Sequence, residues 1–387
     1  MKIAYIGDFI NHGASLQTSG TPLVILLSEI EETDSIDVYC PKINKEVEEF
    51  RIPKKVNIIS FYEYDNPISI MRLLRINWKN YDLIIFNILP TGFGQSSISN
   101  LIALIMPLII MKLLRNRNVR VIYHNSVFTN DFKVLGYNSI YNKIRSYFLG
   151  KIEKLIFKNV PTYVLLKLYK ERINKAIGRN RVSVLSSNFL EAVTTIYINN
   201  AIENRFLEFN RSEIPTILLH GNWGPQKNID LALSSLLKLQ SNGVKFRLII
   251  SGGINNHFPN YELKFKRVLK FYSNIIFEYL GYVKESELMY IFLRSDIVLL
   301  PYKTPGGHSG VLEQAMFFEV PVIAFDFPEY EEQCGGNNKV KLIKEEEMIA
   351  ALVECLNLFR NYGVINIDDK IGLVRSNIKS ILGQFDN

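Results

Sequence analysis

The chain has 387 residues, 48% of them hydrophobic and 12% aromatic, which is long and apolar enough for two cored domains and excludes a disordered chain. Cys40, Cys334 and Cys355 lie far apart with no CxxC pair, which argues against a disulfide framework or a zinc site. The net charge of +7 is uneven. Over residues 111–181, 16 Lys and Arg stand against Asp131, Glu153 and Glu171, an excess that asks for an anionic membrane, a phosphate-bearing substrate or nucleic acid as partner.

In chain order, Lys2-Ile3-Ala4-Tyr5-Ile6-Gly7-Asp8 reads as a buried strand rather than a secretory signal, so the expected location is the cytoplasm. Strand-length apolar runs recur at 36–40, 56–61, 83–87, 119–124 and 163–166. A second series falls at 216–220, 246–251, 275–279, 297–300 and 322–325. Helical patterns, as at 231–239 and 286–293, lie between most of them. This alternation predicts parallel sheets covered on both faces, and two such series predict two Rossmann-like α/β domains. The polar stretch 201–212 has no clear period and marks the break. The expected organisation is a first domain over 1–202, a second over 203–367, and a C-terminal helix over 368–387.

The apolar run 101–111, closed by Lys112, is shorter than the roughly 20 residues of a spanning helix and reads as a buried helix. Segments 140–148 and 151–158 mix bulky apolar residues with basic ones, the composition of a helix lying on a membrane face. With the basic excess, this makes an anionic membrane surface a candidate partner, with peripheral attachment at its inner face. The competing reading is a solvated basic helix that packs its apolar side on the core. The basic stretch has no recognisable nucleic-acid motif, so no nucleic-acid partner is expected.

The segment Pro301-Tyr302-Lys303-Thr304-Pro305-Gly306-Gly307-His308-Ser309-Gly310-Val311-Leu312-Glu313-Gln314-Ala315-Met316 carries the most chemistry. A strand ends, a glycine loop follows, and a helix opens on Ser309-Gly310. Small residues let a ligand approach the backbone, and the free N–H groups of a first helical turn suit a phosphate. Glu313, one turn further in, is placed to accept hydrogen bonds from sugar hydroxyls. A phosphate cradle beside a hydroxyl reader fits a nucleotide-sugar.

From Ser309 to Asp326 the chain resembles the donor-site signature of retaining GT-B glycosyltransferases of the group-1, family 4-like type: a Gly, an apolar pair, Glu with Ala-Met, then Pro321-Val322-Ile323 and a strand. The resemblance implies two Rossmann-like domains facing each other across a cleft, with the C-terminal helix returning to the first. It also implies transfer of a sugar, a hexose by expectation, from a nucleotide-sugar to a glycan or lipid-linked acceptor. Retention would proceed without a protein nucleophile, assisted by the leaving phosphate. No essential metal or other cofactor is implied, and the chain has no Asp-x-Asp motif.

Residue by residue, Lys227 in His220-Gly221-Asn222-Trp223-Gly224-Pro225-Gln226-Lys227-Asn228 occupies the position of the family's pyrophosphate-binding Lys. Asn222 stands near the family's missing Arg, and Asn228 replaces the usual Gly. Gly253 closes a strand-Gly-Gly element, and Gly281 and Tyr282 lie in the element whose backbone reads the base. His308, Ser309, Gly310 and Val311 open the donor helix. Glu313 matches the second of the family's two paired Glu; Pro305 stands where the first would be. In the first domain, Gly13 lies in a loop after the first strand, and His124 ends a strand at a position near the donor sugar. The implied catalytic set is His124, Lys227 and Glu313, with no metal ligand. Tyr197–Glu203 is similar to the family's domain-junction element, with Asn200-Ala201 in place of Asn-Gly. Two alternatives stay open: a nucleotide-sugar epimerase on the same scaffold, and a non-catalytic binding subunit, the latter motivated by Pro305 and Asn222.

Overall fold

Ile3 and Tyr5 pack into one apolar cluster, while Ala4 and Ile6 pack into another. The strand they form, β1 (Lys2–Ile6), is therefore covered on both faces, as a central parallel strand must be. The computed structural model describes residues 1–7, 17–42, 52–88, 93, 96–113, 118–129, 140–185, 214–255, 258, 260–283, 285–305 and 307–362. Gly13, the junction element 197–203 and the helix expected over 368–387 lie outside them. The chain divides into two compact units, with the main change of unit between Tyr197 and Ile198.

The first unit is a seven-stranded sheet. Its further strands are β2 (Ser35–Pro41), β3 (Val56–Tyr62), β4 (Leu83–Ile88), β5 (Val119–Tyr123), β6 (Thr162–Val164) and β7 (Val182–Val184). They run in the order β3-β2-β1-β4-β5-β6-β7, each pair parallel. The connecting helices are α1 (Gln17–Glu29), α2 (Pro67–Met71), α3 (Ser97–Leu113), α4 (Ile140–Asn159) and α5 (Lys167–Ile177). The apolar run at 101–111 falls inside α3, where Ala103, Leu104, Met106, Leu108 and Ile110 are buried. Among the described residues no helix is long and apolar enough to cross a membrane.

The second unit repeats the plan with six strands: β8 (Thr216–His220), β9 (Arg247–Ser251), β10 (Phe277–Gly281), β11 (Ile297–Leu300), β12 (Val322–Phe325) and β13 (Val340–Ile343). Their order is β10-β9-β8-β11-β12-β13, again all parallel. Its helices are α6 (Ile229–Ser241), α7 (Tyr261–Phe271), α8 (Glu285–Leu293), α9 (Gly310–Phe317), α10 (Pro328–Cys334) and α11 (Met348–Tyr362). Ile217, Leu219, Leu248, Ile250, Ile297, Leu299, Ile323 and Phe325 form one face of the core. Their neighbours Leu218, Ile249, Val298 and Leu300 are buried as well. Each full burial of such a side chain is worth roughly 1.5–3 kcal/mol, so the two-faced burial of these strands is the main stabilising term of each unit.

In both sheets the strand order reverses beside the first strand, between β1 and β4 and between β8 and β11. A crevice opens at the carboxyl ends of such strands, where α/β sheets bind ligands. Two strands escape the sequence pattern, β7 and β13. Both are edge strands, short or half polar, as edges generally are. Strand β10 starts two residues after its apolar run, because the Ile275 N–H is spent on the Tyr272 carbonyl in the turn that closes α7.

Gly252 shows how tightly the loops at the second crevice are set. Its φ is +108°, and a Cβ there would stand 1.9 Å from the Gly221 carbonyl oxygen. Gly252→Ala should therefore lower the unfolding free energy in denaturant melts by more than about 2 kcal/mol. Gly243→Ala, also at positive φ but with nothing within 4 Å, should cost about 1 kcal/mol.

Candidate functional site

The loop after β8 is held by one side chain. Trp223 is fully buried, stacks on Phe265 with ring centroids 5.3 Å apart, and donates its indole N–H to the Ser251 carbonyl at 3.1 Å. Its own N–H donates to the Gly253 carbonyl at 2.8 Å, and its carbonyl accepts from the Asn255 N–H at 2.9 Å. The loops after β8 and β9 are thereby joined. The Gly252 N–H donates to the Gly281 carbonyl at 2.6 Å, which ties in the loop after β10, and the Tyr282 side chain lies beside Gly253. Asn222, Gly253, Gly281 and Tyr282 thus belong to one cluster of loops at the carboxyl ends of three neighbouring strands.

Lys227 ends a single 3-10 turn, Pro225–Lys227. Its turn exits through Asn228, whose φ of +52° is left-handed. Asn is among the few side chains that accept this conformation readily, which explains how it stands where the resembled family has Gly. The Lys227 Nζ lies 3.5 Å from the centre of the Tyr302 ring. Tyr302 is fully buried and donates its hydroxyl proton to the His220 carbonyl at 3.1 Å. The Lys303 N–H donates to the Gln226 carbonyl at 2.8 Å. These contacts couple the loop after β8 to the loop after β11, across the point where the strand order reverses.

The residue Lys227 is partly accessible, but its amine lies in dense surroundings, and burial pushes its pKa down to about 7. Burial, and then the charge of Lys227, push His220 down to about 4. His220 is therefore a neutral imidazole, sharing a 2.8 Å hydrogen bond between Nδ1 and Ser251 Oγ. Burial raises the Tyr302 hydroxyl well above its ordinary range, so it remains a proton donor. Among the described residues the Lys227 amine has a ring face beside it and no carboxylate within ion-pair distance, an arrangement that leaves its charge for an anion.

The second cluster stands at the opening of α9. Ser309 is the N-cap, its Oγ accepting from the Leu312 N–H. The Gln333 side chain locks this turn: its Oε1 accepts from the Ser309 N–H at 3.0 Å, and its Nε2 donates to the Ser309 carbonyl at 2.8 Å. Gln333 Nε2 also reaches Glu313 Oε2 at 3.2 Å. His308 Nε2 lies 3.4 Å from the same carboxylate, without hydrogen-bond alignment. Burial alone would raise the Glu313 pKa, but His308 and then Gln333 outweigh it, and the carboxyl is held below its usual value. Glu313 is an oriented carboxylate at the first turn of a helix. At Gly310 a methyl would meet nothing within 4 Å, so space is open before the turn that Val311 continues.

In the first unit, His124 follows β5, and its Nε2 makes a 2.6 Å hydrogen bond with Asn87 Oδ1. Asn87, buried near the end of β4, donates through Nδ2 to the Tyr5 hydroxyl at 2.8 Å. A Cβ on Gly7 would press on Asn87 at 3.0 Å. His124 is thus oriented at the first sheet's own crevice, by residues that motif reading passed over. Trp223, Tyr302, Ser251 and Gln333 were passed over too. Trp223, Tyr302 and Ser251 stand inside the loop motifs, and for the first two a buried aromatic in a Gly-rich loop is the signal that marks them. Among the described residues no group of three His, Cys, Asp or Glu is placed to hold a metal ion.

Residues 201–361 match the family model described as glycosyl transferases group 1. The matched stretch contains both clusters of the second unit. A sequence comparison with curated proteins finds no match. Three solved structures illustrate the likeness in fold. Sucrose-phosphate synthase from Thermosynechococcus elongatus has 13% identity and a TM-score of 0.65 over 99% of this chain and 94% of that one. Anabaena HepE in complex with UDP-glucose has 15% identity and a TM-score of 0.59 over 99% and 95%. A Listeria monocytogenes protein described as a putative UDP-N-acetylglucosamine 2-epimerase has 14% identity and a TM-score of 0.57 over 92% and 88%. At these identities the likeness shows the fold, two Rossmann-like α/β units of the GT-B type.

The buried amine predicts a pH dependence. An unfolded Lys titrates near about 10.4, so between there and about 7 the unfolded chain holds one more proton than the folded one. Stability therefore rises with pH through that window and is lowest below it. Melting curves of the unliganded protein should show wild type gaining on Lys227→Met from about pH 7 to about pH 10. A constant difference between the two would mean that the amine is not buried.

Proposed function

We propose that the protein is a glycosyltransferase that moves a sugar from a nucleotide-sugar to a glycan or lipid-linked acceptor with retention of anomeric configuration. The observation that carries this reading is an anion-seeking amine on the loop after β8 together with an oriented carboxylate in the first turn of α9, the helix that follows β11, so that both follow the strands flanking the reversal. Lys227 binds the donor diphosphate and is drawn to its charged form by it. Glu313 accepts hydrogen bonds from hydroxyls of the donor. The helix opening at Ser309, Gly310 and Val311 offers N–H groups to phosphate. The backbone around Gly253, Gly281 and Tyr282 lines the side where the base would lie, and Asn222 extends the Lys227 loop.

In the transfer, the bond from the anomeric carbon to the diphosphate breaks and its electron pair leaves with the phosphate. The acceptor oxygen bonds to that carbon on the same face and passes its proton to the departing phosphate oxygen. The second unit contributes position and charge stabilisation, with Lys227 toward the developing diphosphate charge. This route calls for neither a protein nucleophile nor an essential metal, so EDTA should leave the rate unchanged. A rate lost to EDTA and restored by Mg²⁺ or Mn²⁺ would overturn that part.

The epimerase alternative draws on the fold it shares with the Listeria protein. Product analysis with a donor and a panel of acceptors separates the readings: a glycosylated acceptor supports transfer, an epimerised donor the alternative, and neither product a binding subunit. Calorimetry with a panel of nucleotide-sugars comes first. Glu313→Ala should weaken the bound donor about 10- to 100-fold, the scale of one or two hydrogen bonds to a charged acceptor. Unchanged affinity would remove Glu313 from the site.

A further inference from the structure

Helix α4 (Ile140–Asn159) has two apolar faces where a surface helix needs one. At about 100° per residue, Glu153, Ile156 and Phe157 share one side, and all three are fully buried in the first unit. On the opposite side, within an arc of about 100°, lie Ile140, Ile144, Tyr147, Phe148, Lys151 and Leu155. These apolar side chains are 73%, 53%, 62%, 62% and 46% exposed, in order. The reading of α4 as a solvated basic helix accounts for the buried face and leaves the exposed one unexplained. A contiguous apolar stripe in water marks an interaction surface.

The charges say what covers it. Lys143, Lys151, Lys154 and Lys158 lie in or beside the stripe, Arg145 lies further round, and the only acid of the helix is the buried Glu153. Lys151 sits over the Tyr147 ring at 5.3 Å, and Tyr147 meets Phe148 edge to face at 5.7 Å. Aromatic rings with lysines at their edge suit the boundary between headgroups and acyl chains. Helix α5, packed against α4, adds Lys167, Lys170, Arg172 and Lys175 against Glu171. A second copy of the α4 face would bring lysine against lysine with no exposed carboxylate on that helix to pair, which disfavours a self-dimer. We propose that this outer face of α4 docks on an anionic phospholipid bilayer.

This surface does not depend on the donor site, and its test is separate. The full chain is sedimented with phosphatidylglycerol vesicles and with phosphatidylcholine vesicles, and its oligomeric state is measured without lipid. Wild type should sediment with phosphatidylglycerol, release in salt, and ignore phosphatidylcholine. Tyr147→Ser with Phe148→Ser, and separately Lys151→Glu with Lys154→Glu, should each lower the vesicle affinity at least about tenfold. Unchanged melting curves and donor binding by calorimetry would show that the variants are folded. No binding by wild type, binding indifferent to both variants, or a wild-type dimer that the Tyr147→Ser, Phe148→Ser variant dissociates would each overturn the proposal.

Discussion

The indole of Trp223 is bonded to the end of one strand while its peptide group bridges the loop that follows it, so the loops after β8 and β9 form one piece. The close passage of Gly252 under the Gly221 carbonyl is possible only because Gly252 carries no side chain. The Lys227 part of the second unit's site is built on that joint. It presents the short turn ending in Lys227, and it fixes the backbone to which Tyr302 and Lys303 attach. Packing of Trp223 on Phe265 and hydrogen-bond geometry act at the same point, so the loops are anchored directly to the core.

The second unit uses two electrostatic solutions. Lys227 is kept over a ring, where burial lowers its hold on a proton. Glu313 is kept charged against burial by His308 and Gln333. One group is ready to gain charge stabilisation from an anionic ligand, and the other already carries the charge that a hydroxyl donor needs. In the first unit, Glu153 is treated differently. Burial raises it to about 7 despite hydrogen bonds from Ser126, Tyr123 and the Val127 N–H. Those bonds fasten the backbone just after His124 to α4, so a buried carboxyl there has a structural use.

The parts of the fold legible in the sequence were those with one physical signature. Central parallel strands are buried on both faces, so runs such as 216–220 and 297–300 stand out as continuous apolar stretches, and the helix at 310–317 announces itself by its Ser309 cap. Edge strands β7 and β13 lack that signature because solvent meets them on one side. Among site residues, Lys227 and Glu313 could be found because their spacing follows the loop and the first helical turn. Tyr302 and Gln333 could not be given roles in the same way. Their partners, His220 and Ser309, are 82 and 24 residues away.

By itself the sequence determined that the chain makes two parallel α/β units, which strand ends carry glycine loops, and which polar residues lie on those loops. These follow from local periodicity, turn chemistry and composition, each read within a few residues. The tertiary structure alone decided that Trp223 joins two loops, that the amine of Lys227 rests on Tyr302, and that α4 turns a second apolar face outward. Those are facts about neighbours distant in the chain and about which side of a helix the core takes. No pattern along the chain specifies them until the strands have been ordered.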